Sequence, residues 1–357
     1  MNISPLQQLL GPISQKNFLE DHWQKRSLVI RDRGDKWPFA FDRKAFYASL
    51  RDCYHIKAAY KDDTGQHKEC DITHEQAEKL YDAGTTICAT RVNYGNPGLQ
   101  RYLDVLQENM LGSEFHMNSY LSPGGKGFGV HYDYHSVWVL QIEGSKRWFY
   151  AEEPAIKYPV MNCVFPLARE EFKFPWYSVA RPNDADLREV VLEPGDLLYL
   201  PTGAWHKTEA SGYSLSITMG HEPVQASKFI TDIVTSGIWN DEASRRHVPF
   251  VPRAEDCKER AENELRATFD DALATLRERI DSLTADQLME VWGAKVEAEQ
   301  KQLQRKKQIR NASSASASPL LALFGQMNSS GNGQRGDGDG SKVTENLDVA
   351  PNASSTK

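Results

Sequence analysis

The chain has 357 residues, 40% hydrophobic and 25% charged, enough for one large or two ordinary domains with a sizeable core. Its formal net charge of −7 argues against a nucleic-acid binder held by bulk charge and suits attraction of a basic protein or peptide. There is no run of about 18 apolar residues to span a membrane, and the opening MNISPLQQLLGPIS lacks the regions of a secretory signal. Five scattered cysteines without C-x-x-C spacing read as reduced thiols, so the expectation is a cytoplasmic protein, or a nuclear or nucleolar one in a eukaryote. The N-x-S/T matches at Asn311, Asn328 and Asn352 carry no weight without an export route.

Residues 1–114 read as an α/β support region. QKNFLEDHWQKR predicts a helix with Phe18, Leu19, His22 and Trp23 on one face, followed by the short strand Ser27–Asp32. Asp42 caps a second helix, and residues 56–72 form a hairpin turning at Asp63-Thr64-Gly65. His67 and Cys70 on that hairpin have no ligand partners nearby in sequence and read as ordinary surface residues. Thr73 and Gln76 make a capping box for a helix that ends at Gly84. A β-branched strand over 85–92 and a helix through Leu99, Leu103, Leu106 and Met110 complete the region.

From 115 to 223 the pattern is strands. HMNSYLS alternates, PGGKGFGV is a glycine-rich loop, and HYDYHSVWVLQI is a long strand that an EGS turn sends back as KRWFYA. Residues 151–185 are irregular, rich in Pro and aromatics, and suited to a loop over a site. LREVVLEPGDLLYLPTGAWHKTEA and GYSLSITMG supply the remaining strands. Many strands joined by Gly/Pro turns predict a double-sheet β barrel of jelly-roll type. Residues 224–310 are helical: Leu265, Phe269, Leu273, Leu276, Ile280 and Leu283 follow one apolar face, and Thr284 with Gln287 opens another helix ending in QRKKQIR. These helices offer a face for homodimerisation. Residues 311–357 are Ser-, Asn-, Gly-, Asp- and Ala-rich and read as a disordered tail, interrupted by the apolar island Pro319–Gly325.

The chemistry lies in the barrel. His131 and Asp133 are two apart on a strand and so leave the same face. His206 sits at the end of a distant strand. Two imidazoles and one carboxylate on one side of a metal leave other positions open, the facial arrangement of non-haem Fe(II) oxygenases, which accept a 2-oxo acid and O2. His and carboxylate also suit zinc, although structural zinc sites usually have four protein ligands.

HYDYHSVWVLQIEGSKRW and LPTGAWHKTEA, with FLEDHWQKRSLVI near the N-terminus, resemble the JmjC-type 2-oxoglutarate oxygenases of the cupin superfamily, and among them the ribosomal oxygenases, which hydroxylate ribosomal proteins. The resemblance covers about residues 8–222. It implies a double-stranded β-helix core, iron ligands His131, Asp133 and His206, and Lys146 as the partner of the distal carboxylate of 2-oxoglutarate, a charge-assisted pair. Asn118 and Tyr120 match a strand that lines the cosubstrate pocket, and Ser214 and Thr218 on the last strand add hydrogen bonds. Two departures stand out. The ribosomal oxygenases carry an acidic residue soon after H-x-D, where this chain has Tyr134, His135 and Ser136; these three are expected to form a substrate wall, with His135 sharing a face with the ligands. They also follow the barrel with a helix bundle and a winged helix, whereas this sequence shows helices only.

The leading expectation is an Fe(II)- and 2-oxoglutarate-dependent hydroxylase of a protein or peptide side chain. A tailoring oxygenase of a natural-product peptide or small molecule, a lysine demethylase, and a catalytically silent scaffold that recruits a partner through its helices are the rivals.

Overall fold

The computed structural model describes residues 4–31, 37–62, 67–164, 180–250 and 255–329. The expected hairpin turn at 63–65, residues 165–179 of the expected loop over the site and the residues from 330 onward lie outside these. The helices are α1 (Pro5–Leu10), α2 (Gln15–Asn17, continued by a wide turn to His22), α3 (Arg43–Ser49), α4 (His74–Asp82), α5 (Pro97–Gln107), α6 (Ala226–Ile238), α7 (Glu242–Arg245), α8 (Glu255–Asp281) and α9 (Ala285–Ser329). The strands are β1 (Leu28–Ile30), β2 (His55–Lys61), β3 (His67–Asp71), β4 (Thr86–Thr90), β5 (Glu114–Ser122), β6 (His131–Tyr132), β7 (Ser136–Tyr150), β8 (Cys163–Val164), β9 (Arg188–Leu192), β10 (Leu197–Leu200) and β11 (His206–Glu222). The helix starts follow their caps. Asp42 accepts from the Ala45 N–H, and the predicted boxes form at Thr73–Gln76 and Thr284–Gln287.

All strand pairing is antiparallel, and one ladder runs β1-β10-β7-β11-β5-β4-β2-β3. A second ladder, β9-β7-β11-β6-β8, reuses the other halves of the two long strands. Where the sequence predicts a turn at EGS and a break before GYSLSITMG, β7 and β11 instead continue and bend, their register shifting between Ala210 and Ser214 and between Leu215 and Ser216. Bulges let a strand change direction without losing its ladder.

Alternation sorts the side chains. Met117, Leu121, Trp138, Leu140, Leu197, Tyr199, Leu215, Ile217 and Met219 face the N-terminal helices, where Phe18, Phe46, Leu99 and Leu103 cover them. Val137, Val139, Trp148, Tyr150, Val190, Leu192, Leu198 and Leu200 fill the space between the ladders. The expected support region is thus the outer layer of the barrel, and its strands β2, β3 and β4 extend the same sheet.

Contacts divide the chain into two units, 1–303 and 304–357. In the first, Glu299 accepts from Gln107 Nε2 at 2.7 Å and the Gly112 N–H at 2.8 Å, while Trp292 meets Phe229 edge-on at 5.1 Å. In the second, α9 continues to Ser329, past the point where composition predicts a tail. Ala312, Ala315 and Ala317 are strong helix formers, a weight that overall polarity does not register. No described helix is long and apolar enough to cross a membrane.

Trp138 is 1% exposed and sits within 5 Å of the Phe18 and Tyr199 rings, joining the helical layer to the sheet. Trp138→Ala is expected to lower unfolding stability by about 3–5 kcal/mol in chemical denaturation.

Candidate metal centre

The two candidate histidine ligands are direct cross-strand partners, His206 on β11 opposite His131 on β6. Their ring centroids lie 4.1 Å apart, and His206 Nε2 is 3.6 Å from Asp133 Oδ2. One ligand atom from each of His131, Asp133 and His206 lies within 4.8 Å of the others, the only such group of three among the described residues. The geometry fits a metal in a second respect. His131 Nδ1 lies 2.8 Å from the Gly129 carbonyl and His206 Nδ1 lies 3.0 Å from the Ala204 carbonyl, so each Nδ1–H donates to backbone and each Nε2 keeps its lone pair for a metal. Burial, with His131 nearby, pushes His206 down to about 3, and the ring is a neutral ligand throughout the physiological range. Burial pulls the Asp133 carboxyl up, but the imidazoles of His135, His131, His206 and His116 outweigh it and hold it below its ordinary value.

A turn locks the three together. The Gly203 N–H donates to the Asp133 carbonyl at 2.9 Å, and the Ala155 N–H donates to the Gly203 carbonyl at 3.0 Å. Gly203 has φ 77°, and a Cβ there would fall 2.0 Å from the Ile156 carbonyl oxygen. On the other side, Phe128 of the glycine-rich loop is tied to Thr208 through both its N–H and its carbonyl.

A cavity of about 480 Å³ opens on the triad, within the range of small-ligand sites. It gathers Asn118, Tyr120, His135, Lys146 and Thr218 from the residues predicted by sequence, but not Ser214, Tyr134 or Ser136. Ser214 is buried away from it and accepts from Gln141 Nε2 at 3.0 Å, Tyr134 donates its N–H to Asn162, and Ser136 is fully buried. Lys146 is 2% exposed, and its Nζ lies 5.7 Å from the Tyr120 ring centroid. Burial pushes its ammonium down to about 8, with the Cys88 thiol pulling weakly the other way. Tyr120 shares a hydrogen bond with Thr218, and burial raises its hydroxyl pKa. Asn118 accepts the Arg91 N–H at 2.9 Å.

Sequence reasoning missed several lining residues. Ser216 lies between the two predicted positions on the same alternating face, and its hydroxyl is buried with no recorded partner. Trp148 stacks on His206 at 5.9 Å. His67, read as surface, lines the cavity with Lys57 and Glu69, which pair at 2.9 Å, whereas Cys70 is exposed. The hairpin β2–β3 extends the sheet beyond β4, so alternation on β2 and β4 is the signal that would have turned Lys57 and Cys88 inward.

Residues 96–229 match the JmjC domain family. YxbC of Bacillus subtilis (strain 168), described as uncharacterized, is 22% identical over 308 residues, 80% of this chain and 91% of its own length. Ribosomal oxygenase 1 of Gallus gallus is 30% identical over 228 residues, 59% of this chain, and this chain spans 35% of that protein. A solved structure of the Escherichia coli ribosomal oxygenase YcfD aligns with a TM-score of 0.48 at 20% identity, covering 79% of this chain and 69% of that one. Residues 96–229 are thus similar to a JmjC domain and related to the ribosomal oxygenases, and His131, Asp133 and His206 within them form a candidate metal-binding triad.

Gly203→Ala is expected to place a side chain in a left-handed position against backbone. It should cost on the order of 1–3 kcal/mol in denaturant unfolding and weaken Co(II) binding in a calorimetric titration.

Proposed function

We propose that this protein is an Fe(II)- and 2-oxoglutarate-dependent oxygenase that hydroxylates a side chain of a protein or peptide. The observation that carries this reading is the pairing, in one cavity, of a three-residue candidate triad with a buried lysine that forms no ion pair among the described residues. His131, Asp133 and His206 would hold the iron. The bound iron, with 2-oxoglutarate and O2, supplies an oxidant able to take hydrogen from carbon.

The chain's own residues do the rest. Lys146 offers a cation deep in the cavity, where a carboxylate gains most from a charge-assisted bond. Tyr120, Thr218 and Ser216 line the same face and present hydroxyls to the cosubstrate. Trp148 and Val137 bring apolar surface to the cavity wall and exclude water beside His206. Lys57, His67, Glu69, Asn162 and His135 form the rim that meets the substrate. The name of the Gallus gallus relative, ribosomal oxygenase, supports a protein substrate, and the net charge of −7 suits a basic one.

The deciding experiment is incubation with Fe(II), 2-oxoglutarate and candidate proteomes, with succinate release and mass spectrometry as readouts. A gain of one oxygen is expected, and loss of a methyl would favour demethylation instead. His206→Ala should abolish succinate formation; equal turnover in the variant would overturn the reading. The protonated Lys146 is the form that binds a carboxylate, so 2-oxoglutarate affinity should be constant below about pH 8 and fall as pH rises through it. The fall approaches tenfold per pH unit for one proton and should be absent in Lys146→Met, whose affinity is weak at every pH.

A further inference from the structure

β5 brings Asn118 and Tyr120 to the cavity, yet carries none of the three candidate metal ligands. One edge of this strand pairs with β11 along its whole length, from Glu114 to Ser122. The other edge is covered by β4 only at Ser119, Tyr120 and Leu121. Nearer its start, side chains take the place of a neighbouring strand. The Met117 N–H donates to Asn93 Oδ1 at 3.1 Å, and the Phe115 N–H donates to Gln107 Oε1 at 3.2 Å. A buried N–H costs free energy unless something accepts from it, so the start of β5 follows the side chains that hold these two amides.

We propose that Glu299 of α9 is a positioning residue for the cosubstrate wall, acting through Gln107 and Gly112 on the start of β5. This rests on the reading of Asn118 and Tyr120 as part of that wall. The Glu299 carboxylate uses both oxygens: Oε1 accepts from Gln107 Nε2 at 2.7 Å, and Oε2 accepts from the Gly112 N–H at 2.8 Å. Hydrogen bonds to an ionised group are roughly twice as strong as neutral ones. Gln107 Nε2 also donates to the Ser113 carbonyl, so one side chain is gripped by α9 and itself grips Ser113 and Phe115. Ser113 Oγ lies 2.6 Å from His221 Nε2, which ties the same turn to the far end of β11.

Packing shows that α9 is fitted to this turn. Gly112 has φ 88°, and a Cβ there would fall 2.5 Å from Trp292 Cζ2. The Trp292 ring meets Phe229 edge-on, which fixes α9 against α6, the helix that follows β11. Glu299 stands about two helical turns after Trp292 and so shares its face. Gly112 thus receives an indole and a carboxylate from one side of a single helix. The candidate ligands lie on β6, directly after it and on β11. Loosening the start of β5 therefore shifts the Asn118 amide and the Tyr120 hydroxyl without taking the triad apart.

The test uses the full-length protein in two states. In the metal-free state, hydrogen exchange of the amides from 112 to 118 should be faster in Glu299→Ala than in the wild type, with exchange in β9 and β10 unchanged. In the Co(II)-loaded state, 2-oxoglutarate affinity from calorimetry should fall roughly 2- to 30-fold while Co(II) affinity stays at the wild-type value. Glu299→Gln keeps one acceptor and should fall between the two. Glu297→Ala, on the exposed side of the same helix, should match the wild type in every readout. Unchanged exchange or unchanged 2-oxoglutarate affinity in Glu299→Ala would overturn the proposal. An equal loss of Co(II) affinity would overturn it too, since that marks a purely structural role. A wild-type protein that takes up no Co(II) or no 2-oxoglutarate would remove the reading of the cavity itself, and the proposal with it.

Discussion

The centre depends on one backbone pairing, His206 against His131. These residues are far apart in sequence, and neither strand alone places more than a pair of donors. β6 is only two residues long, and its bridge to β11 brings the second imidazole opposite the first. Asp133 follows two positions on, its carbonyl held by Gly203 of the turn that feeds β11. The triad therefore exists only when the second ladder is closed, and folding of the barrel and assembly of a metal site are one event.

The same economy explains Lys146. On β7 the inward residues are Val137 and Val139 in the first half, but Lys146, Trp148 and Tyr150 in the second. Those positions differ by an odd number, and a plain strand would send Lys146 to the opposite face. The register shift at Gln141–Glu143 leaves Ile142 without a partner and reverses the alternation, which returns the lysine to the cavity. The bulge thus couples a bend in the strand to the direction of one charged side chain.

This is also where the sequence stops being legible. The H-x-D pair, the distant His206, both capping boxes and the alternation on β5 and β11 all follow from local spacing, and they define the barrel and its triad. Lys146 was placed by resemblance, because a bulge leaves no mark in residue pattern. Ser214 was chosen over Ser216 because alternation gives a face but not a depth along the strand: at 214 the partner is Gly144 and Gln141 fills the space, while at 216 the face opens on the cavity. His67 was assigned to the surface because its neighbours in the cavity wall, His131 and Phe128, are about sixty residues away in the chain.

The contribution of that hairpin has a wider meaning. Lys57, His67, Glu69, Cys88 and Thr90 belong to the cavity wall, yet all precede the segment that carries the JmjC match. Part of what frames an approaching substrate thus comes from a stretch separate from the one that carries the triad, and the pairing of β4 with β5 joins the two. Such a division lets one stretch be rewritten while the other stays intact: a lineage can change its target by altering the edge of a sheet, leaving the candidate metal ligands untouched.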